Sequence, residues 1–105
     1  MKKRKKDLIS IEFLNREEID EIFSLAETMK SFRGRHSNSL ERKVLAMVFE
    51  KPSLRTRVTF ETGIYELGGH GIYLGPNDIQ IGKRESVHDV AKNLGRWAHG
   101  IVIRT

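Results

Sequence analysis

The chain has 105 residues, 38% hydrophobic and 31% charged, with no cysteine. That length suits one small domain able to bury somewhat over ~60% of its unfolded surface, and no apolar run nears the ~18 residues of a membrane helix. Disulfides, thiol catalysis and thiolate metal sites are excluded, and the composition is that of a folded chain rather than a disordered one.

The net charge of +5 is carried by one segment. Residues 2 to 6 read Lys-Lys-Arg-Lys-Lys and hold five of the nineteen basic residues, leaving fourteen to balance fourteen acids. Residues 1–7 are therefore expected to be a solvated basic tail, and residues 8–105 a neutral domain. The tail lacks the apolar stretch of a signal peptide and is too short and Ser-poor for a transit peptide. The expectation is a cytoplasmic protein with no membrane and no nucleic-acid partner. His36, His70, His88 and His99 show no ligand spacing, so no metal site is expected.

After the tail, Leu8, Ile9, Ile11, Phe13 and Leu14 form a short apolar entry. Asn15 is a good N-cap, and Glu17, Glu18 and Asp20 put negative charge where the helix dipole favours it. Ile19, Ile22, Phe23, Ala26, Met29 and Phe32 recur at helical spacing, predicting an amphipathic helix that covers a core and ends at Gly34. Residues 35–42 are polar and aperiodic, hence a loop.

The run Val44 to Phe49 suits a buried strand. Pro52 keeps Lys51 extended, Ser53 stands at an N-cap position, and Phe60, Ile64 and Leu67 mark one face of the helix that follows. Gly68-Gly69 reads as its C-cap and a tight turn into a strand, His70 to Leu74. The pair does not open a helix, so it is no dinucleotide fingerprint, and Gly82-Lys83 lacks the spacing of a Walker motif. Residues 75–85 read as a second polar loop. Ser86 and Asp89 resemble a capping box opening a helix with a stripe of Val87, Val90, Ala91, Leu94 and Trp97. Gly100 precedes a last strand, Ile101 to Ile103. The alternation predicts an α/β fold, a parallel sheet with helices on both faces joined by right-handed crossovers.

Arg55 and Arg57 are the informative oddity. Cations in a first helical turn oppose the macrodipole by roughly 0.3–1 kcal/mol each. Two guanidinium groups beside the hydroxyls of Ser53 and Thr56 and the unpaired amides of a helix start suit a phosphate ligand. The alternative is that both arginines pair with acidic neighbours such as Glu50 and Glu61 as solvated ion pairs. Ligands of parallel sheets bind beyond the carboxyl ends of the strands, which brings Arg104 to the same edge as Ser53 to Arg57.

Phe49-Glu50-Lys51-Pro52-Ser53-Leu54-Arg55-Thr56-Arg57-Val58-Thr59-Phe60-Glu61 resembles the carbamoyl-phosphate motif of the aspartate/ornithine carbamoyltransferase family, whose core is Ser-x-Arg-Thr-Arg. Tyr65 to His70, Leu74-Gly75-Pro76, Gln80 to Ser86 and Ile103-Arg104-Thr105 look like the ornithine branch. The resemblance implies a carbamoyl-phosphate-binding domain that needs no cofactor. It implies that Ser53, the Leu54 amide, Arg55 and Thr56 hold the phosphate, and that Thr56 and Arg104 reach the carbamoyl oxygen as the catalytic pair. Arg57, the last arginine of the motif, would have a supporting role rather than hold the phosphate. Gln80 matches a glutamine that reaches the phosphate of a neighbouring subunit, which implies a trimer.

Leu54 and Val90 stand where threonine is commoner, and Leu54 keeps the amide that matters. The family's His-Pro-x-Gln segment and amino-acid-binding domain find no counterpart before position 105. The resemblance thus implies a partial domain, inactive alone, of an enzyme of arginine metabolism making citrulline from ornithine. Other acceptors (aspartate, putrescine, a modified ornithine) and a non-catalytic phosphate-binding module stay open.

Overall fold

A computed structural model describes residues 7–33, 38–79 and 86–105. The chain divides into two compact units, residues 1–35 and 36–105. In the first, a short 3-10 turn, Ile11–Phe13, leads into helix α1, Arg16–Ser31. Its start is a reciprocal capping box: Glu18 N–H donates to the Asn15 side chain at 2.8 Å, and Asn15 N–H to the Glu18 carboxylate at 2.9 Å. The helix predicted from residue spacing is present, but it buries none of its residues, and Ile22, Phe23 and Phe32 are exposed. One helix and one turn do not make two layers, so the stripe has no core of its own unit to cover. The helix stops at Ser31 with Phe32 as its C-cap. Gly34, expected to end it, lies outside the described residues.

The second unit is α/β. Strand β1 (Val44–Phe49) is followed by α2 (Leu54–Glu66), β2 (His70–Leu74), the single turn α3 (Pro76–Ile79), α4 (Val87–Trp97) and β3 (Gly100–Arg104). The three strands form a parallel sheet in the order β2-β1-β3. The central strand reads as an unbroken apolar run because both of its faces are covered. Ala46 and Val48 turn toward Val90 and Leu94 of α4, while Met47 and Phe49 turn toward α2 and Tyr73. Met47 and Phe49 are fully buried, each contributing on the order of 2–3 kcal/mol. Of the stripes expected on the two helices, Ile64 and Val90 are buried, whereas Phe60 and Trp97 are exposed. Trp97 stands with Val44, Ile72 and Leu94 around an apolar cavity of about 260 Å³ between sheet and α4.

The glycine turn after α2 is a full Schellman motif. Gly69 N–H reaches Ile64 C=O at 2.8 Å and Gly68 N–H reaches Tyr65 C=O at 3.0 Å, with Gly68 at φ 92°. The segment expected to be a loop after β2 contains α3, because Pro76 supplies a helical φ and the Asp78 carboxylate accepts Gly75 N–H at 2.7 Å. Gly-Pro-Asn-Asp was the available signal for that turn.

Gly69 admits no side chain. An added Cβ would lie 2.8 Å from both Lys43 C=O and Ile64 Cδ1, and that carbonyl already accepts His70 N–H at 2.9 Å. Gly69→Ala is expected to cost about 1–3 kcal/mol, read as a fall in Tm of roughly 5 °C per kcal/mol.

Candidate anion-binding site

The strand order fixes where the loops converge. From β1 the chain crosses through α2 to one neighbour, and from β2 it returns through α4 to the other. The carboxyl end of β1 is therefore a switch point, where open α/β sheets leave a crevice. Phe49 pairs with Arg104 in register, and Glu50 N–H donates to Arg104 C=O at 2.8 Å, prolonging the ladder one residue past β1. The Arg104 backbone is thereby fixed against Glu50, three residues upstream of Ser53.

Ser53 is the N-cap of α2, extended at φ −153° and ψ 105°, but its hydroxyl makes no capping hydrogen bond. The first α2 amide to reach the helix ladder is Arg57 N–H, donating to Ser53 C=O at 3.2 Å. The amides of Leu54, Arg55 and Thr56 have no acceptor among the described residues, as at any uncapped helix start. No acidic residue lies in this first turn. The result is a half-buried hydroxyl, a half-buried Thr56, three amides and the positive end of the helix dipole gathered at one point.

The two arginines of the motif have different surroundings. Arg57 Nε donates to Glu61 Oε1 at 3.0 Å, and its Cζ lies 3.8 Å from the centroid of the Tyr73 ring. The ion-pair reading thus holds for Arg57 with Glu61. It fails for Arg55: among the described residues neither Arg55 nor Arg104 meets a carboxylate at ion-pair distance, and both side chains are exposed. Among the described residues these two guanidinium groups have no carboxylate partner. Leu54 contributes only backbone, its side chain being 78% exposed. Gln80 lies outside the described residues.

Tyr73 and His99 are the residues that reading the sequence missed. Tyr73 looked like any apolar strand residue. His99 Nδ1 accepts Val44 N–H at 3.0 Å while His99 N–H donates to Val44 C=O at 2.8 Å, closing the sheet at the end away from the site.

A parallel sheet with an uncapped, arginine-bearing helix start at its switch point is an α/β domain of the kind that takes anionic ligands at that place. Residues 6–105 match the family model described as the aspartate/ornithine carbamoyltransferase carbamoyl-P binding domain. An ornithine carbamoyltransferase of Vibrio sp. (strain 2693) is 44% identical over 93% of this chain and 33% of its own length. The crystal structure of ornithine carbamoyltransferase from Thermus thermophilus superposes with a TM-score of 0.87 at 45% identity, covering 98% of this chain and 36% of that one. The catalytic subunit of M. jannaschii aspartate transcarbamoylase gives 0.82 at 37% identity, over 94% of this chain and 33% of that one. The chain belongs to the aspartate/ornithine carbamoyltransferase family and carries its carbamoyl-phosphate-binding domain. It spans about a third of the length of the curated relatives it matches.

The idle Ser53 hydroxyl separates fold from site. Ser86 does cap, accepting Asp89 N–H at 3.1 Å, so Ser86→Ala should cost about 1 kcal/mol. Ser53→Ala should change stability by under about 0.5 kcal/mol. Paired urea melts of the two variants measure the contrast.

Proposed function

We propose that this chain binds carbamoyl phosphate at the α2 start and Arg104, and that the protein it represents transfers the carbamoyl group to ornithine. The observation that carries this reading is the free state of Arg55 and Arg104 at the edge where β1 and β3 end together. Charge that opposes the helix dipole and has no carboxylate partner among the described residues is consistent with a doubly charged ligand.

In this reading the phosphate oxygens take the Ser53 hydroxyl, the Leu54 amide, Arg55 and Thr56. Gln80 of a neighbouring subunit in a trimer completes the shell. The δ-amine of ornithine attacks the carbamoyl carbon, the C=O bond opens to a tetrahedral oxyanion, and the bridging C–O bond breaks. The products are citrulline and phosphate, and the attacking nitrogen gives up one proton. Thr56 and Arg104 donate to the developing oxyanion, and losing one such donor costs ~3–4 kcal/mol of barrier. The remaining contribution is orientation of the two reactants. In this reading the acceptor is held outside the carbamoyl-phosphate-binding domain, and residues 1–105 by themselves are expected to form no citrulline. No helix among the described residues is long and apolar enough to cross a membrane, and we place the enzyme in the cytoplasm. Ornithine is favoured by the names of the similar curated proteins. The match to an aspartate transcarbamoylase requires that aspartate be assayed beside it.

Calorimetry with carbamoyl phosphate tests the site. A charged hydrogen bond is worth about 1.5–3 kcal/mol, so Arg55→Ala and Arg104→Ala should each weaken Kd roughly 10- to 100-fold, and added salt should weaken the wild type. A folded sample with no saturable heat from carbamoyl phosphate or inorganic phosphate would end this reading.

A further inference from the structure

The half of α2 that carries the anion site is held differently from the half that does not. Its buried residue, Ile64, lies in the C-terminal half and packs beside Gly69 and Gly71. In the N-terminal half, Leu54 is 78% and Val58 50% exposed, Arg55 and Thr59 are exposed, and Ser53 provides no side-chain cap. Ser53 and Thr56 are half-buried, and Arg57 makes a side-chain contact from this half to the sheet. Its guanidinium lies face-on over Tyr73 at 3.8 Å, and Glu61, one turn along, holds its Nε at 3.0 Å. Tyr73 is itself fixed. Its ring meets the fully buried Phe49 edge to face, with centroids 5.4 Å apart and planes 67° apart. Gly75 is what leaves room for the ring, because a Cβ there would sit 2.9 Å from Tyr73 Cε2.

We infer that Tyr73 is a positioning residue for the anion site: by clasping Arg57 it holds the first turn of α2, and with it the amides of Leu54, Arg55 and Thr56, in the binding arrangement. The inference rests on the carbamoyl-phosphate reading of that site. A cation over an aromatic face is attracted by the ring quadrupole, and more strongly when partly desolvated. Here the pair is half-exposed, so it suits orienting one helical turn more than stabilising the whole fold. Fixing that turn in advance lowers the ordering cost that binding would otherwise meet. In this arrangement the clasp engages Arg57, so that of the motif's two arginines Arg55 is the one left for the phosphate.

Carbamoyl phosphate titrations on four proteins, each checked for folding by its melt, test this. Arg57→Gln changes a half-exposed side chain and should fold. It is expected to bind about tenfold more weakly. Tyr73→Leu, which leaves every charge in place, should lose the same factor, and Tyr73→Phe, which keeps the ring, should recover it. Adding Tyr73→Leu to Arg57→Gln should produce no further loss, since both act through one contact. The idea is overturned if folded Arg57→Gln binds like the wild type. It is also overturned if Tyr73→Leu binds normally while Arg57→Gln does not, since Arg57 would then touch the ligand itself. Absence of binding by the wild type would instead remove the reading beneath it.

Discussion

Strand β1 is the strand that both ladders share, and the site depends on its pairing with β3. The register Phe49 with Arg104, extended by the Glu50 to Arg104 hydrogen bond, joins two points more than fifty residues apart in sequence. Without it the α2 start would still be a helix N-terminus, but the Arg104 backbone would not be fixed beside the carboxyl end of β1. A shift of one residue would send Arg104 to the opposite face of the sheet, because side chains alternate along a strand. Burial of Ala46, Met47, Val48 and Phe49 on two faces at once sets that register more firmly than any polar contact does.

The arrangement also shows how one motif can spend two like charges differently. Arg57 is neutralised within its own helix by Glu61 and seated on an aromatic ring, so it belongs to the scaffold. Arg55, two residues earlier and on another side of the helix, has neither neighbour. Helix geometry makes the distinction: residues four apart meet, as Arg57 and Glu61 do, while residues two apart do not face each other.

Much of this was legible in the sequence where local chemistry decides the outcome. The buried strand at Val44 to Phe49, the Schellman turn at Gly68-Gly69 and the cap at Ser86 each follow from residue types acting on their immediate neighbours. The uncapped, arginine-bearing helix start at Ser53 to Thr56 was legible for a similar reason, as charge placed against a dipole. What was not legible depended on partners distant in the chain. Tyr73 gains its meaning from Arg57 and Phe49, His99 from Val44, and no periodicity announces such pairs. The α1 stripe was read correctly as amphipathic, yet the inference that it covers a core did not follow, since amphipathicity says which face is apolar and not what lies against it.

The wiring of the sheet has a consequence for how the molecule comes into being. Both ladders are parallel and close loops of many residues, an arrangement that forms slowly compared with local helices. Helix α2 can nucleate early, but the crevice at its start has only one wall until the final strand docks along β1. The crevice beside the carboxyl end of β1 is therefore complete only once β3, through Arg104, has paired with β1. Any metabolite that fits this crevice favours the docked sheet over the open chain by mass action.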